Sequence, residues 1–294
     1  MSTSESAGEE VQERRFRSRE GFDLVADVID TGNPWVVMLH GGGQTRGSWK
    51  RSATSLAADG FSVVTVDARG HGESGWSPNG DYTLDRLSED LADIVSLLDG
   101  PFHLIGASMG GLTAFRAAGT DLAGRVASLV LVDITLNPAA SGSARVLEFM
   151  AANPDGFASV EEAAEAVSRY NPLRSRSAGI EGLRRNLRVD DAGRYRWHWD
   201  PVVLATGPQF GRDRFSETLE EAAAGVTAPT LLVHGSASDV VDDHGIAELK
   251  RLIPHLQVRE VRNASHMVAG DNNDQFLADV RPFLTAARSP MTDR

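Results

Sequence analysis

Short apolar segments that alternate with helical patterns constrain the fold of this 294-residue chain more than any other feature. These segments are rich in Val, Leu and Ile and show no apolar–polar alternation, as expected of strands covered on both faces. They are residues 35–39, 61–66, 102–106, 126–134, 228–235 and 256–261. Helical patterns separate them, at residues 48–60, 83–100, 110–125, 243–253 and 274–288. The alternation predicts an α/β protein with a mostly parallel sheet and helices on both faces.

The alternation stops between residues 137 and 225, where helical patterns and the aromatic stretch GRYRWHWDP replace the strands. We interpret residues 137–225 as an inserted helical lid (cap), and residues 13–136 and 226–294 as the core domain. Residues 1–12, rich in Ser, Glu and Gly, are predicted to be a disordered tail. The next segment, RRFRSREGFDLVADVIDTG, predicts an antiparallel hairpin that begins the sheet.

Composition excludes several classes of site and partner. The chain has no Cys, so disulfides, Cys-metal sites and a thiol nucleophile are excluded. Its formal net charge of −12 repels phosphate backbones, so we expect no nucleic-acid partner. There is no basic start followed by an apolar core, and no run of 18 apolar residues. We therefore expect a soluble, cytoplasmic protein without a membrane partner, and the sequence does not predict its oligomeric state.

Two glycine-rich turns follow predicted strands, and the first does not fit a nucleotide site. In LHGGGQTRGSW, Gly41 and Gly43 match the start of a dinucleotide fingerprint, but Arg46 occupies the position of its third glycine. A phosphate-binding loop would need Gly-Lys-Ser/Thr at its end, and none follows.

The second turn, GASMG at residues 106–110, matches the G-x-S-x-G pattern between an apolar strand and a helix. A serine at such a junction needs a strained backbone that lifts its hydroxyl clear of the sheet. Small residues at positions 106, 110 and 111 would let the strand and the helix approach closely enough. Ser108 is therefore the predicted nucleophile, and the amide of Met109 lies at a helix N-terminus, which favours an anion.

A base and an acid follow in loops after later strands. His266 lies in NASHMV after the last predicted strand, and a neutral imidazole is a suitable base for a serine hydroxyl. Asp239 lies in LLVHGSASDVVD, 27 residues earlier. The order Ser, Asp, His is the one expected of a nucleophile elbow, with Asp239 orienting His266 and His266 deprotonating Ser108.

With these positions fixed, the chain resembles the α/β-hydrolase superfamily over residues 20–136 and 226–288. The resemblance rests on LHGGG (39–43), DARGHGES (67–74), GASMGG (106–111) and HGSASD (234–239). It is greatest to the lid-bearing branch of small esterases, lactonases, cofactor-free perhydrolases and carbon–carbon bond hydrolases, and it implies an eight-stranded, mostly parallel sheet.

The resemblance also implies roles for particular residues. The amides of Gly42 and Met109 would form the oxyanion hole, with Gly43 as a close rival of Gly42. Asp67, Arg69 and His71 in DARGHGES would support the site, and His40 would be a structural hydrogen-bonding residue.

The acid and the nucleophile are the points at which relatives differ. Some relatives draw the triad acid from the strand after the nucleophile, so Asp133 in LVLVDIT could replace or support Asp239. We favour Asp239, because HGSASDVVD matches the usual acid loop more fully. Ser108 argues against epoxide hydrolase and haloalkane dehalogenase activity, since both use Asp as nucleophile. Ala107 departs from the hormone-sensitive-lipase branch, which usually has Asp there.

Aromatic residues of the lid are candidates for the substrate pocket. Tyr195, Trp197 and Trp199 would either seal the lid or line a pocket for a moderately apolar substrate. Further candidates are Trp76, Phe149 and Met150. Nearby arginines could meet an anionic substrate group or lie in solvent; they are Arg185, Arg188, Arg194 and Arg196.

The predicted activity is hydrolysis of a carboxylic ester or lactone through an acyl-enzyme on Ser108, with no cofactor and no metal. The alternatives are a cofactor-free perhydrolase or a carbon–carbon bond hydrolase with the same triad. A ligand-binding receptor on a hydrolase scaffold is the alternative from another functional class.

Overall fold

The computed structural model describes residues 10–171, 180–184, 186–206 and 213–287. Its strands are β1 Gln12–Arg17, β2 Asp23–Ile29, β3 Trp35–Leu39, β4 Ser62–Val66, β5 Phe102–Ala107, β6 Val126–Val132, β7 Leu187–Val189, β8 Tyr195–Trp197, β9 Thr230–Gly235 and β10 Gln257–Val261. Within the described residues, eight of them form one sheet in the order β1-β2-β4-β3-β5-β6-β9-β10. The β1–β2 and β2–β4 pairs are antiparallel and the others are parallel. The predicted eight-stranded, mostly parallel sheet and its opening hairpin are confirmed.

Helices connect these strands and cover both faces of the sheet. They are α1 Lys50–Ala58, α2 Leu84–Val95, α3 Met109–Gly119, α4 Ala140–Ala151, α5 Val160–Tyr170, α6 Ile180–Arg184, α7 Val203–Thr206, α8 Asp213–Ala223, α9 Asp243–Leu252, α10 Val268–Asp271 and α11 Asn273–Ala286. A short 3₁₀ turn, Arg46–Trp49, precedes α1.

Two hydrophobic clusters, one on each face, explain why the central strands lack apolar–polar alternation. Val37 and Leu39 of β3 pack in one cluster with residues of α2, α3 and α9. Val36 and Met38, which point to the other face, pack with residues of α1 and α11. Each buried strand therefore needs apolar side chains at successive positions.

The segment predicted to be a lid, residues 137–225, leaves the sheet after β6 and returns before β9, although these two strands pair directly. Its described elements are α4 to α8 and the β7–β8 hairpin, with a small apolar cluster of its own around Phe157 and Ala163. The insertion thus starts at the edge of the sheet where the parallel strands end, which is where ligands bind in α/β proteins, and it returns to the opposite edge at the start of β9.

The described part of the chain begins at residue 10, within the predicted tail. β1 begins at Gln12, the last residue of the predicted tail, and residues 1–9 of that tail lie outside the described residues. No helix in the described parts of the chain has both the length and the apolar character required to cross a bilayer.

Candidate active site

Ser108 occupies a strained turn between β5 and α3. Its backbone has φ 47° and ψ −115°, a conformation that residues other than glycine rarely adopt. The turn is held by hydrogen bonds from the Ser108 amide to the Val132 carbonyl (3.0 Å) and from the Leu112 amide to the Ser108 carbonyl (3.0 Å). The backbone therefore has the geometry of a nucleophile elbow, as G-x-S-x-G predicts.

The glycines around Ser108 are required by close backbone packing. A Cβ atom on Gly106 would lie 2.3 Å from the carbonyl oxygen of Gly110. One on Gly110 would lie 2.5 Å from the carbonyl oxygen of Leu39, and one on Gly111 would lie 2.6 Å from a methyl group of Ile134. All of these distances are too short for a side chain, so the elbow needs glycine at the three positions.

His266 is paired with Asp133. The Nδ1 atom of His266 lies 2.8 Å from Oδ2 of Asp133, and the two side chains are 8% and 0% exposed. Asp133 directly follows β6 and has a positive φ of 50°. Its Oδ1 accepts the Gly235 amide (2.8 Å), and its Oδ2 also accepts the Ser238 hydroxyl (2.6 Å). Both carboxylate oxygens are thus satisfied, and the imidazole is held in one orientation.

The prediction that Asp239 orients His266 is wrong in this structure. Asp239 instead forms an ion pair with Arg145 at 2.7 Å, and the two side chains are 34% and 44% exposed. The reason is position: Asp133 directly follows β6, the neighbour of β5, whereas Asp239 lies four residues beyond the end of β9. The HGSASD motif still contributes to the site, through Ser238 rather than Asp239.

The loop that carries His266 is fixed from its other side by Asp271. The amide and the hydroxyl of Ser265 both donate to Oδ2 of Asp271, at 2.9 and 2.6 Å. The other carboxylate oxygen of Asp271 accepts the side-chain amide of Asn171, at the end of α5 in the lid (3.0 Å). The lid therefore contacts the loop of His266 through one carboxylate.

In the glycine turn after β3, the amides of Gly41 and Gly43 donate hydrogen bonds to side chains, whereas the amide of Gly42 has no acceptor among the described residues. The Gly41 amide donates to Oε1 of Gln44, and the Gly43 amide donates to Nε2 of His71, both at 3.2 Å. Within the described residues, the amides of Gly42 and Met109 have no such acceptor. Gly42 lines the same cavity as Ser108, and Met109 is the first residue of α3. The geometry favours Gly42 over Gly43 as an anion-binding amide.

The DARGHGES turn is buried and tightly hydrogen-bonded. Asp67 accepts the amides of Arg46 (2.6 Å) and Glu73 (3.0 Å) and also binds the Arg46 guanidinium. Arg69 forms a bidentate pair with Asp90, at 2.6 and 2.8 Å. Burial raises the pKa of the Asp90 carboxyl, against the opposing effect of Arg69. Asp67 and Arg69 therefore hold the turn in place and lie outside the lining of the cavity at Ser108.

Ser108 and His266 line the same cavity, of about 80 Å³. Four of the predicted pocket residues line it as well: Phe149, Met150, Trp197 and Trp199. The aromatic wall also includes Tyr170, whose ring stacks on Phe149 at 4.3 Å and whose pKa burial raises to about 12. The sequence pattern did not predict the other side chains that line the cavity, which are Gln44, Val146, Val167, Tyr170, Asn171, Leu183, Asn186 and Met267.

The two other predicted pocket residues lie outside the cavity lining. Trp76 is 42% exposed, with the guanidinium of Arg188 over its ring. Tyr195 packs against the small apolar cluster of the lid. The predictions for both residues are therefore not met. Sequence proximity to other aromatic residues does not tell which way a side chain points on a short hairpin such as β7–β8.

The described arginines of residues 137–225 do not line the cavity. Arg194 and Arg196 donate to backbone carbonyls at residues 154–156, and Arg196 also pairs with Asp190. Arg188 binds the Gly72 carbonyl. Arg185 lies outside the described residues.

A second cavity, of about 170 Å³, adjoins the first. The two share Gln44, Ala107, Asn186, His266 and Met267, so His266 stands between them. The lining of the second cavity is more polar and includes Thr45, Ser48, Asp271 and the indole of Trp49. The Trp49 Nε1 atom is buried without a hydrogen-bond partner in the described structure. Within the described residues, no group of three or more His, Cys, Asp and Glu side chains is placed to hold a metal ion.

The sequence matches a known family model and known enzymes over most of its length. A family model described as alpha/beta hydrolase fold matches residues 34–272. The chain is 32% identical to esterase Rv0045c of Mycobacterium tuberculosis, over 85% of its own length and 83% of the esterase. It is 29% identical to the mouse (Mus musculus) sn-1-specific diacylglycerol lipase ABHD11, over 85% of its own length and 81% of the lipase.

Solved structures agree with these sequence comparisons. A crystal structure of esterase Rv0045c superposes with a TM-score of 0.74 at 29% identity, covering 94% of this chain and 92% of the esterase. The fold is also similar to that of E-2-(acetamidomethylene)succinate hydrolase, with a TM-score of 0.81 at 22% identity, covering 94% and 100% of the two chains. The prediction that the chain is an enzyme of the hydrolase class is confirmed.

Proposed function

The chain belongs to the α/β-hydrolase family, and on that premise we propose that it hydrolyses neutral carboxylic esters or lactones through an acyl-enzyme on Ser108. One observation carries the proposal: the buried Asp133–His266 pair opens onto the same cavity as the strained Ser108. A carboxylate that orients an imidazole beside an exposed hydroxyl is the arrangement that activates a serine for acyl transfer.

The proposed reaction assigns one task to each group. The Ser108 hydroxyl attacks the ester carbonyl and passes its proton to Nε2 of His266, while Asp133 holds the Nδ1 proton and stabilises the imidazolium. The carbonyl oxygen, now negative, is bound by the amides of Gly42 and Met109. The intermediate collapses, and His266 protonates the departing alcohol. Water, deprotonated by His266, then attacks the acyl-enzyme and releases the acid.

The cavity favours a neutral, moderately apolar acyl group. Its described lining has no Asp, Glu, Lys or Arg side chain, and aromatic and aliphatic side chains form most of the wall. A substrate carboxylate placed there would lose its hydration without gaining a cationic partner. Monoesters of dicarboxylic acids should therefore be poor substrates compared with neutral esters of the same length.

The second cavity is suited to the leaving group. A departing alcohol must receive a proton from His266, so its oxygen has to lie within hydrogen-bonding reach of that ring. The larger and more polar cavity also lies beside His266, and its lining includes Thr45, Ser48 and Asp271. A hydroxylated alcohol would hydrogen-bond to such polar side chains, whereas a purely apolar one would not.

Covalent labelling with a fluorophosphonate tests the proposed nucleophile. The wild-type protein should be labelled on Ser108, as mapped by peptide mass spectrometry, and Ser108→Ala should be neither labelled nor active. Ser108→Ala should lower kcat by about 10⁴-fold or more, because the hydroxyl and the imidazole act as one unit. An unlabelled wild-type protein, or labelling at another residue, would refute the mechanism.

Substrate assays on the wild-type protein distinguish ester hydrolysis from carbon–carbon bond hydrolysis and perhydrolysis. Neutral p-nitrophenyl butyrate should be hydrolysed far faster than the corresponding succinate monoester. Turnover of a vinylogous diketone in place of both esters would identify a carbon–carbon bond hydrolase. Peracid formation from an ester and hydrogen peroxide, in excess of hydrolysis, would identify a perhydrolase.

A further inference from the structure

Three buried imidazole rings lie beneath the glycine turn that follows β3. His40, His71 and His198 are each about 1% exposed, and their ring centroids are 5.2 Å apart for His40–His71 and 5.9 Å apart for His71–His198. Burial lowers the pKa of His40 to about 4 and that of His71 to about 3, and it lowers the pKa of His198 as well. All three rings are therefore neutral at physiological pH, with one donor and one acceptor nitrogen each.

The hydrogen bonds fix which nitrogen carries the proton. Nδ1 of His71 donates to the Arg69 carbonyl (3.1 Å), so its Nε2 is free to accept the Gly43 amide (3.2 Å). Nδ1 of His40 donates to the Gly41 carbonyl (2.8 Å), and its Nε2 accepts the Ala68 amide (3.0 Å). The two rings therefore hold the glycine turn at both of its ends, one at a carbonyl and one at an amide.

The third ring belongs to the lid. Nδ1 of His198 accepts the amide of Gly72 at 2.7 Å, and the guanidinium of Arg188, also from the lid, binds the Gly72 carbonyl. Gly72 directly follows His71 in the chain. The lid therefore binds both the amide and the carbonyl of Gly72, the residue next to the ring that accepts the Gly43 amide.

We propose that His71 is a positioning residue for the oxyanion hole, and that the lid acts on the hole through the sequence of contacts His198–Gly72–His71–Gly43. His71 binds the Gly43 amide and so orients the turn, which leaves the neighbouring Gly42 amide facing the cavity of Ser108. This inference rests on the proposed function, because it assigns Gly42 to the oxyanion hole. It adds a lid residue to the machinery that stabilises the transition state.

Another lid contact provides a matched control. The Tyr82 hydroxyl donates to Oδ2 of Asp200 in the lid at 2.5 Å, so it also joins the lid to the core through a buried hydrogen bond. It has no hydrogen bond to the glycine turn. Tyr82→Phe should therefore weaken the attachment of the lid without moving the oxyanion hole.

The test compares four variants with wild type: His71→Phe, His71→Gln, His198→Phe and Tyr82→Phe. Three readouts are taken for each: kcat and KM on a neutral p-nitrophenyl ester, inhibition by an alkyl boronic acid, and the ratio of kcat/KM for an oxygen ester to that for its thionoester. A boronate adduct and an oxygen ester both depend on the oxyanion hole, whereas a thionoester uses it poorly.

His71→Phe should lower kcat by about 10- to 100-fold with KM within about threefold, since a misplaced oxyanion donor acts on the transition state and not on the ground state. Boronate affinity and the oxygen-to-sulfur ratio should fall by a similar factor. His71→Gln, whose amide oxygen can accept the Gly43 amide, should recover most of both. His198→Phe should show the same pattern with a smaller loss, about 3- to 10-fold. Tyr82→Phe should lower Tm but change neither the boronate affinity nor the oxygen-to-sulfur ratio.

Two results would overturn the inference: wild-type kcat in His71→Phe, or a loss of kcat without a loss of boronate affinity and of the oxygen-to-sulfur ratio. If His71→Phe does not fold, His198→Phe and His71→Gln carry the same comparison. Failure of the proposed function is seen separately, because wild type would then hydrolyse no ester and bind no fluorophosphonate at Ser108.

Discussion

Two loops at neighbouring strand ends each present a carboxylate, and they place it in opposite environments. Asp133, after β6, is fully buried, has a positive φ and is hydrogen-bonded to His266, Ser238 and Gly235. Asp239, after β9, is partly exposed and pairs with Arg145 of α4. Only the buried carboxylate has the fixed position that orienting an imidazole requires.

The comparison shows that a sequence motif can be present while the side chain expected to act points elsewhere. HGSASD matches the acid loop of related hydrolases, yet its contribution here is a serine hydroxyl that binds the carboxylate of the neighbouring loop. The acid that binds His266 follows β6 and not the neighbouring strand β9, while the loop after β9 contributes Ser238 to the site. A sequence match locates the loop, whereas strand order and loop length decide which side chain reaches the histidine.

The largest expected effect comes from exchanging the buried acid for its amide. Asp133→Asn should lower kcat by about 10⁴-fold, because an amide cannot hold the Nδ1 proton of His266 in place or stabilise the imidazolium. Steady-state kinetics on a neutral p-nitrophenyl ester measure the loss, and circular dichroism checks the fold.

Asp239→Asn is the matched control for that exchange, because it makes the same chemical change one strand away. Its kcat should stay within about threefold of wild type, as expected of an exposed ion pair. A large loss in Asp239→Asn with little loss in Asp133→Asn would reverse the assignment of the two carboxylates.

Much of the fold and two of the three residues of the proposed triad could be predicted from the sequence. The apolar strands and the intervening helices specify the parallel sheet, because each central strand is buried on both faces. Gly106, Gly110 and Gly111 identify the elbow, since only glycine fits where β5, α3 and β3 converge. Ser108 and His266 follow from that geometry.

The acid, the lid contacts and the support of the oxyanion turn could not be predicted, for a common reason. Asp133 and Asp239 both end strand-like segments, and the spacing to His266 does not tell which one lies beside β5. His198 contacts Gly72 from a position 126 residues further along the chain. Such contacts depend on how the lid is seated, and no local pattern in the sequence encodes that.

The buried rings of His40 and His71 should make the stability of the fold sensitive to acid. The pKa of His40 and of His71 is lowered by burial to about 4 and about 3, below the ordinary value near 6.5. The unfolded chain therefore binds these protons first, so stability present above pH 6.5 is lost as the pH falls towards 4. Each ring should add up to about 1.4 kcal/mol per pH unit to that loss.

Urea unfolding between pH 7 and pH 4.5 measures this slope. His71→Gln should remove one ring's share of that slope. Equal slopes for wild type and His71→Gln would show that the His71 ring takes up its proton without unfolding.

A smaller effect is expected from the serine that binds Asp133. Ser238→Ala removes the 2.6 Å hydrogen bond to Oδ2 of Asp133, the oxygen that also binds His266. Loss of one hydrogen bond to a charged group should lower kcat roughly tenfold, with KM nearly unchanged. Ser238→Thr keeps a hydroxyl and should stay close to wild type. An unchanged kcat in Ser238→Ala would mean that Gly235 alone is enough to hold the carboxylate.

The smallest effect concerns the exposed pair itself. A double-mutant cycle with Arg145→Gln and Asp239→Asn should give a coupling energy of about 0.5 kcal/mol in 0.15 M salt, falling in 1 M salt, since solvent screens both partners. Arg145 also lies over the ring of Tyr170, 5.2 Å from its centroid, and Tyr170 lines the cavity of Ser108. Arg145→Gln should therefore change KM slightly and leave kcat unchanged. A coupling energy of several kcal/mol, insensitive to salt, would mean that Asp239 is buried in solution. The environments of Asp133 and Asp239 would then be similar, contrary to their different exposure in this structure.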